Sequence, residues 1–495
     1  MKLPVVQDLY NAAGTRALEH HACAELGLSG LSLMERAGAA VFEMLRQRWP
    51  AARRISILCG AGNNGGDGYV VARLAAAAGL VPRVVMLSTE QRLRGDGASA
   101  YQAMRAAGVA VAHGEAWFEG AELVIDALLG TGLERQVEGE YAAAIARINA
   151  SGLPVLSVDL PSGIHAGTGR CRGAAVRATA TLSLVSLKQG LLTGDAPAYT
   201  GALHYHDLGL PPMVYATVPA SAQAIAYADL LSLFAPRPRT AHKGHHGHVL
   251  VVGGAPGGGG AARMAAEAAA RVGAGLVSLA THPSHATGLT TQRPEIMCHG
   301  VPDAAALAPL LARATVVAIG PGLGTSAWAQ ALLAAVRDCR QVQVVDADAL
   351  NLLAADPDRR QARVLTPHPG EAARLAGMTT AAIHDDRYAA AAALCARYGG
   401  VVVLKGAGTV IATEHALPLV VRDGNPGMAS GGMGDVLTGV IAGLLAQGLT
   451  PRLAAAAGAC VHGHAADRAA VVGERGLLAG DLMPWLRRAV NALPR

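Results

Sequence analysis

Two glycine-rich segments, each ending in an aspartate, carry the residues of this chain that are best suited to chemistry. The first segment, residues 60–65, has the pattern G-x-G-x-x-G and continues into Gly66-Asp67-Gly68. This pattern indicates dinucleotide binding when it joins a strand to a helix. Asp67 argues against that interpretation, because its carboxylate would lie where helix amides usually hold a pyrophosphate. An aspartate that caps the helix N-terminus is the simpler explanation of Asp67.

Two further apolar runs end at aspartates, Asp126 and Asp159, and a tight turn follows each of them. Buried carboxylates cost free energy unless they are paired, hydrogen-bonded or bound to a cation. Asn64, Asp126 and Ser162 offer only oxygen ligands, which favours a hard cation over a transition metal. Asp159 would then be free to act as a base. The turn at residues 130–132 could expose backbone amides to a phosphate, or its glycines could serve tight turning alone.

The second glycine-rich segment, residues 425–435, precedes an apolar helix predicted over residues 436–445. Consecutive glycine amides at a helix start form an anion hole suited to a transferring phosphoryl group. Asp435 could then take a proton from a substrate hydroxyl. A helix-capping aspartate is the alternative, and the density of glycines disfavours it.

Three turns are expected close to this second segment. Residues 405–409 form a predicted strand-to-strand turn that could contact a nucleotide through the side chain of Lys405 and through backbone amides. Residues 320–324 and 366–371 each follow a predicted strand. Since the carboxyl ends of parallel strands share one edge of a sheet, we expect their ligand-facing groups at that edge.

Four histidines within residues 242–248 suggest a metal site. Flexible glycines separate them and no acidic partner is nearby in the sequence, which disfavours this interpretation. The glycine run at residues 253–260 lies between a predicted strand and a helix, where it could let the backbone approach a ligand or could form a mobile loop.

Alternating apolar strands and helices must position these segments. An opening helical region is predicted over residues 11–48, and a helix over residues 69–78. In the first half, strands are predicted at residues 55–59, 83–87, 121–126 and 154–159. In the second half, they are predicted at residues 248–252, 276–280, 315–319, 342–346 and 401–404. The alternation favours parallel sheets covered on both faces, and the proline-rich stretch 208–240 indicates a domain boundary near residue 219.

Composition narrows the class of protein. The chain has 495 residues, which predicts two domains, 1–219 and 220–495. Hydrophobic residues make up 52% and aromatic residues only 3%, so the cores must be built from small aliphatic side chains. A net charge of +5 is too dilute to indicate a nucleic-acid surface, and seven scattered cysteines fit neither a metal site nor a disulfide framework. No signal or membrane segment is evident, so we expect a cytoplasmic protein with neither nucleic-acid nor membrane partners.

The motifs of the first half, in order, resemble those of NAD(P)H-hydrate epimerases. They are residues 63–68, 126–132 and 159–163. The resemblance implies a Rossmann-like α/β/α domain in which Asp159 is the catalytic base and K⁺ is bound by Asn64, Asp126 and Ser162. It also implies a substrate site formed by Asn63, Asn64, Gly65, Gly66, Asp67, Gly130, Thr131, Gly132, Leu133, Glu134, Arg135, Gln136 and Asp159. Lys188 matches a recurrent position of the family to which we assign no role.

The motifs of the second half resemble those of the ADP- or ATP-dependent NAD(P)H-hydrate dehydratases, which belong to the ribokinase-like superfamily. The resemblance covers nearly the whole second half and implies a ribokinase-like α/β domain that binds ADP or ATP with Mg²⁺. It implies that the hydrated cofactor contacts Ala261, Gly322, His368 and Asp435. It implies that the nucleotide contacts Lys405, Gly406, Ala407, Gly408, Thr409 and Gly434.

Together these resemblances predict a metabolite-repair enzyme, expected to be a homo-oligomer, that acts on the hydrates of NADH and NADPH. Hydroxide leaves poorly, so phosphorylating the ring hydroxyl makes elimination easier, with Asp435 as the base. One domain would epimerise the R and S hydrates while the other dehydrates the S form, converting ADP to AMP or ATP to ADP with release of phosphate. The alternative is a vitamin or sugar kinase fused to a non-catalytic cofactor-binding module.

Overall fold

A computed structural model describes residues 6–112 and 116–491 of the chain. The chain divides into two compact units. The first unit spans Asp8–Ala222, and the second comprises the residues from Gln223 onward together with the described residues that precede Asp8. A short strand, β1 (Gln7–Leu9), opens the described chain. Within the described residues, no helix is long and apolar enough to cross a membrane. The assignment of separate functional domains to residues 1–219 and 220–495 stays a prediction.

The first unit is built on a parallel sheet with the strand order β3-β2-β4-β5-β6-β7. Its strands are β2 (Arg54–Cys59), β3 (Val81–Met86), β4 (Leu123–Ala127), β5 (Val155–Val158), β6 (Ala180–Leu184) and β7 (Ala202–His206). Its helices are α1 (Ala12–Leu26), α2 (Gly30–Arg48), α3 (Asn63–Ala77), α4 (Gly95–Ala106), α5 (Gly139–Ala150) and α6 (Pro212–Thr217). The central strands β4 and β5 are buried along their whole length, as expected of a parallel sheet covered on both faces.

Glycines bring α3 close to the sheet. A Cβ on Gly65 would lie 2.1 Å from the carbonyl oxygen of Gly60, and a Cβ on Gly68 would lie 2.7 Å from Cys59 Sγ. The sequence predicted a loop over this stretch and a helix beginning at residue 69, whereas α3 begins at Asn63. The prediction of a loop is wrong because these glycines serve helix packing and do not break the helix.

The second unit holds a larger sheet, ordered β8-β17-β16-β15-β14-β13-β12-β9-β10-β11. Neighbouring strands are parallel except that β16 is antiparallel to both β15 and β17. The strands are β8 (Ala222–Ile225), β9 (His248–Val252), β10 (Leu276–Thr281), β11 (Met297–Gly300), β12 (Val316–Ile319), β13 (Val342–Val345), β14 (Arg363–Leu365), β15 (Val401–Leu404), β16 (Val410–Thr413) and β17 (Ala416–Val421).

The helices of this unit cover the sheet with small apolar side chains. They are α7 (Gly259–Arg271), α8 (Ala286–Gln292), α9 (Ala304–Arg313), α10 (Ala327–Arg337), α11 (Ala347–Ala355), α12 (Pro369–Ala376), α13 (Thr380–Asp385), α14 (Arg387–Tyr398), α15 (Met433–Ala446), α16 (Pro451–Ala469) and α17 (Met483–Ala489). Helices α7 and α15 approach so closely that a Cβ on Gly439 would lie 2.0 Å from the carbonyl oxygen of Ala265. Small residues therefore form this core, as the scarcity of aromatic residues predicts.

Candidate active site

Residues that follow β2, β4 and β5 line one cavity of about 1250 Å³ in the first unit. These strands are neighbours in the sheet, so the segments after them meet at one edge. The predicted residues that line the cavity are Asn63, Asn64, Asp67, Gly130, Thr131, Gly132, Leu133, Glu134, Arg135, Gln136 and Asp159. Gly65 and Gly66 are buried inside α3 and are not among the lining residues.

Asp159 is held at this edge by a buried lysine. It follows β5 with a φ of 68°, a left-handed conformation that residues other than glycine seldom adopt. The ammonium of Lys188 forms an ion pair with the Asp159 carboxylate and also donates to the carbonyl oxygen of Leu184 at 2.6 Å. The side chain of Lys188 is 1% exposed, whereas that of Asp159 is 13% exposed. Asp159 therefore keeps one face open to the cavity while its charge is compensated from behind.

Two further carboxyl groups of the same cavity, Glu19 and Asp67, lie within electrostatic reach of this ion pair. Burial, followed by the negative charges of Asp159 and Glu19, raises the pKa of Asp67 well above its usual range. Burial and Asp159 also raise the pKa of Glu19, against the opposing effect of Lys188. The predicted helix-capping role of Asp67 is wrong, because Gly62 is the N-cap of α3.

The predicted cation ligands Asn64, Asp126 and Ser162 are connected through Leu129, and Asn64 also lines the cavity. Asp126 is fully buried, and its carboxylate accepts hydrogen bonds from Ser162 Oγ at 2.5 Å, Ser162 N at 2.9 Å and Ser157 Oγ at 2.8 Å. Asn64 Nδ2 donates to the carbonyl oxygen of Leu129 at 3.2 Å. Burial raises the pKa of Asp126, and these hydrogen bonds oppose the shift.

The chemistry of this donor set fits a hard cation, the class to which the predicted K⁺ belongs. It consists of a carboxylate, a hydroxyl, an amide and a carbonyl oxygen, and hard cations prefer such ligands. Among the described residues, no lysine, arginine or histidine pairs with the Asp126 carboxylate. A bound monovalent cation would supply the missing positive charge.

Asp435 occupies the first turn of α15 in the second unit. The helix begins at Met433, three residues earlier than predicted, and its N-cap is Gly432, which has a φ of 90°. Burial raises the pKa of Asp435 to about 7, and the negative charge of Asp346 adds to the shift while Lys405 opposes it. The helix-capping alternative for Asp435 is wrong, because Gly432 is the N-cap. A carboxyl group with a pKa near neutrality is suited to proton transfer.

Lys405 joins the predicted nucleotide turn to the start of α15. Its ammonium is 2.8 Å from Asp346 Oδ1 and 3.8 Å from Glu371 Oε2. A Cβ on Gly434 would lie 3.0 Å from Lys405 Nζ, so the ammonium lies against the predicted anion hole. Burial lowers the pKa of Lys405, but the two carboxylates outweigh it and the net shift is upward. Lys405 is therefore a cation at neutral pH.

The remaining residues of the predicted nucleotide turn, Gly406, Ala407, Gly408 and Thr409, join β15 to β16 as predicted. Gly406 and Gly408 have φ values of 139° and 61°. The buried guanidinium of Arg387 donates to the carbonyl oxygens of Leu404 at 3.0 Å and Lys405 at 3.2 Å, which fixes the start of the turn.

His368 is the N-cap of α12. Its Nδ1 accepts from Gly370 N at 3.0 Å, while Glu371 Oε2 accepts from His368 N at 2.8 Å. Burial and the charge of Lys405 lower the pKa of His368, so the imidazole is neutral. The backbone of Lys405 donates to Pro367 at 2.9 Å, which joins this turn to the nucleotide turn.

Ala261 and Gly322 are connected through the glycine run that follows β9. Gly258 accepts from Ala261 N at 3.2 Å, and Gly322 accepts from Ala255 N at 2.7 Å. Gly322 has a φ of 57°, and a Cβ there would lie 2.3 Å from the carbonyl oxygen of Gly258. The glycines are thus needed where two loops cross, and they bring both predicted contact residues to one edge.

The four histidines of residues 242–248 are not brought together as a metal site. Within residues 6–112 and 116–491, no group of three or more His, Cys, Asp or Glu side chains is arranged to hold a metal ion. The Nδ1 of His242 accepts a hydrogen bond from Gly244 N and caps a short 3-10 helix. The ring of His242 lies against that of His245 in a tilted arrangement, with the centroids 3.6 Å apart, and His248 Nε2 lies 2.9 Å from Ser278 Oγ.

Sequence reasoning missed several residues that contact the two sites. They are Glu19, Asp346, Glu371, Arg387 and Thr438, together with Lys188, to which the sequence assigns no role. Asp346 and Glu371 were detectable, since each is the acidic residue closing a predicted strand or turn. Glu19 lies on a predicted helix with nothing in the sequence to distinguish it.

Both halves of the chain are similar in sequence to known protein families. Residues 249–487 match the family model described as NAD(P)H-hydrate dehydratase, and residues 30–190 match the model described as YjeF-related protein N-terminus. A bifunctional NAD(P)H-hydrate repair enzyme of Coxiella burnetii is 48% identical over 485 residues, covering 98% of this chain and 99% of that protein. A bifunctional NAD(P)H-hydrate repair enzyme of Escherichia coli is 46% identical over 489 residues, covering 98% and 95%.

Two solved structures resemble the second unit. A ribokinase-like superfamily protein from Enterococcus faecalis matches with a TM-score of 0.50 and 29% identity, covering 54% of this chain and 95% of that one. A hypothetic protein from Streptococcus mutans matches with a TM-score of 0.51 and 33% identity, covering 54% and 99%. The ribokinase-like prediction for the second unit is thereby confirmed.

Proposed function

The chain belongs to the family of bifunctional NAD(P)H-hydrate repair enzymes, and from that premise we propose how its residues divide the work. The first unit epimerises the R and S hydrates of NADH and NADPH, and the second dehydrates the S form at the expense of ADP or ATP. The observation that carries the proposal is the meeting of Asp435, Lys405 and Gly434 at the start of α15.

In the second unit, Asp435 takes the proton of the ring hydroxyl while the hydroxyl oxygen attacks the terminal phosphorus of the nucleotide. The bond from that phosphorus to the bridging oxygen breaks, and AMP or ADP leaves with the electron pair. Lys405 and the amides that begin α15 bind the phosphoryl group during transfer. The bond between the ring carbon and the ester oxygen then breaks, and phosphate leaves with the electron pair. Loss of a proton from the adjacent ring carbon restores the double bond of NADH or NADPH.

Ala261, Gly322 and His368 lie at the same edge and bind the hydrated cofactor beside Asp435. Residues 405–409 bind the adenine nucleotide together with Gly434. Mg²⁺ would neutralise charge on the nucleotide phosphates. A phosphorylated hydroxyl leaves as phosphate, so coupling to a nucleotide removes the main barrier to elimination.

In the first unit, Asp159 acts as the base on the hydroxyl of the hydrated ring. Because α3 begins at Asn63, Asp67 lies one turn inside the helix and does not occupy its N-terminus. The N-terminus of α3 and the turn at residues 130–132 therefore offer backbone amides to the pyrophosphate of the substrate, as helix N-termini generally do. Asn64, Asp126 and Ser162 would hold K⁺, which would balance the buried charge of Asp126. We further expect a cytoplasmic homo-oligomer.

A kinase for a vitamin or sugar alcohol is not favoured, because the similarity to repair enzymes extends over 98% of the chain and includes both units. The decisive experiment supplies purified protein with a mixture of R and S NADH hydrates and either ADP or ATP, and follows the recovery of reduced-nicotinamide absorbance. Full recovery of both epimers is expected. Absence of recovery with both ADP and ATP would refute the dehydratase assignment. Recovery that stops when the S form is exhausted would refute the epimerase assignment.

A further inference from the structure

Asp346 is a buried carboxylate at the centre of the second unit's site, and the mechanism above gives it no role. It follows β13 directly, is the N-cap of α11 and is 1% exposed. Burial of a charge is costly unless it is paired and hydrogen-bonded. Both oxygens of this carboxylate have such partners, and each partner belongs to a different part of the proposed site.

One oxygen of the Asp346 carboxylate contacts the predicted nucleotide turn, residues 405–409. The other oxygen contacts α15, the helix that carries Asp435. Asp346 Oδ1 is 2.8 Å from Lys405 Nζ, and Asp346 Oδ2 accepts from Thr438 Oγ1 at 2.7 Å. Thr438 is fully buried and lies one turn after Asp435 on α15. The carboxylate thus connects two segments that are distant in sequence.

A third segment is connected through the backbone of Asp346. Gly320 has a φ of 127°, and a Cβ on it would lie 1.8 Å from the carbonyl oxygen of Asp346. The loop that contains Gly322 therefore rests directly on this residue. Asp348, two residues further on, accepts from Gly324 N at 2.8 Å and holds the other end of the same loop.

From these contacts we infer that Asp346 is a positioning residue for the dehydratase reaction. It holds the Lys405 ammonium against the anion hole and sets the charge around Asp435. The inference rests on the proposed function and deepens it. Asp346 needs no contact with substrate for this role, because it acts through Lys405, Thr438 and its electric field.

The charges that face Asp435 come from three elements besides its own helix. They are Asp346 and Asp348 at the start of α11, Glu371 on α12 and Lys405 on the β15–β16 turn. His462 on α16 lies close to Lys405 and is neutral, since burial lowers its pKa to about 4. Asp346 is the strongest of the charged influences on the pKa of Asp435. Its negative charge favours the protonated form of Asp435 and so moves the ionisation towards neutral pH.

The test is the pH dependence of dehydration of the S hydrate by the full-length protein. In Asp346→Asn, the negative charge is lost and Lys405 is no longer compensated by it. Both changes stabilise ionised Asp435. The fall of kcat on the acid side of its pH profile, called the acid limb below, should therefore occur at lower pH. Misplacement of Lys405 should also lower kcat by about 10²-fold. A fall in kcat with the acid limb unmoved would reduce Asp346 to a structural residue and overturn the inference.

Two variants serve as matched controls. Thr438→Val removes one hydrogen bond of Asp346 but keeps its charge, so the acid limb should stay at the wild-type pH. Asp348→Asn removes a carboxylate from the same helix start, and because Asp348 influences Asp435 less, its shift should be smaller. A shift in Asp348→Asn as large as that in Asp346→Asn would overturn the specific role of Asp346.

Should Asp346→Asn fail to fold, Asp346→Glu decides the question. That variant keeps the negative charge but lengthens the side chain that holds Lys405 and Thr438, so kcat should fall while the acid limb stays near its wild-type pH. A kcat equal to that of the wild type would overturn the inference. The wild-type protein distinguishes failure of this inference from failure of the proposed function. If the proposed function were wrong, the wild-type protein itself would recover no reduced nicotinamide.

Discussion

The ammonium of Lys188 forms an ion pair with the carboxylate of Asp159, a residue 29 positions earlier in the sequence. The pair compensates a buried charge and also holds Asp159 in a left-handed backbone conformation. Strained conformations of this kind persist only where surrounding contacts fix them, and they cluster at functional sites. The pair therefore presents one carboxylate face to the cavity of the first unit.

Replacing Asp159 by Asn should lower the rate of epimerisation by about 10²- to 10⁴-fold, because the proposed base can no longer accept a proton. The amide is close in shape to the carboxylate, so binding of the hydrate should persist. Chromatographic separation of the R and S hydrates after partial reaction measures the rate. Dehydration of pure S hydrate in the same sample is the control and should be unchanged. An undiminished epimerisation rate would remove Asp159 from the mechanism.

The rate of dehydration should fall as the pH drops below about 7, because Asp435 must be ionised to accept a proton and its pKa is about 7. The profile of kcat for the S hydrate measures this directly. Above pH 7, Asp435→Asn should lose about 10²- to 10⁴-fold in kcat relative to the wild type, and its profile should show no such limb. A wild-type rate that stays constant down to pH 5 would contradict the assignment of Asp435 as the base.

Asp435 should also make the folded protein less stable at high pH. Its folded-state pKa is raised from 3.8 to about 7, so the folded state holds this proton more tightly than the unfolded state does. The resulting stability is fully present below pH 3.8 and is lost as the pH rises through 7. Thermal unfolding of Asp435→Asn should therefore occur at a higher temperature than that of the wild type at pH 8. Equal unfolding temperatures at pH 8 would contradict this electrostatic cost.

Gly65→Ala should destabilise the first unit, because the added methyl group would lie 2.1 Å from the carbonyl oxygen of Gly60. Overpacking of this kind costs about 1 to 3 kcal/mol. Gly132→Ala is the matched control, since Gly132 is outside any helix of the same unit and a Cβ there meets nothing within 4 Å. Calorimetry of both variants measures the difference. Equal unfolding temperatures would mean that α3 can move away from β2 without loss of stability.

Epimerisation should depend on K⁺ through Asp126. Replacing K⁺ by tetramethylammonium at constant ionic strength should reduce the epimerisation rate by about 10-fold or more, as loss of a supporting ligand does at other metal sites. In Asp126→Asn the charge that attracts the cation is gone, so the rate should be low and insensitive to K⁺. An equal K⁺ response in the variant and the wild type would place the cation elsewhere.

Local patterns in the sequence determined much of the fold. The predicted strands at residues 248–252 and 401–404 coincide with β9 and β15, because uninterrupted apolar runs between glycines specify buried parallel strands. The two-unit α/β architecture followed from the alternation of such runs with helices. The sequence likewise identified the segments that meet at the carboxyl edge of each sheet, since that edge is fixed by chain direction alone.

Helix starts were less accessible to sequence reasoning. Both α3 and α15 begin inside glycine-rich stretches that were predicted to be loops. Glycine lowers helix propensity, but here a side chain would collide with a neighbouring strand or helix. The collision is visible only when the neighbour's position is known, so tertiary packing overrides local preference.

Only the tertiary structure decided which charges meet. Lys405 and Asp346 are 59 positions apart, and Thr438 and Asp346 are 92 apart. Their pairing depends on the order β15-β14-β13 in the sheet and on the packing of α15 against it, neither of which follows from local periodicity. The sequence thus predicted that Asp159 and Asp435 follow the carboxyl edges of the two sheets. The charge and orientation of these carboxylates depend on partners that the fold brings from elsewhere in the chain.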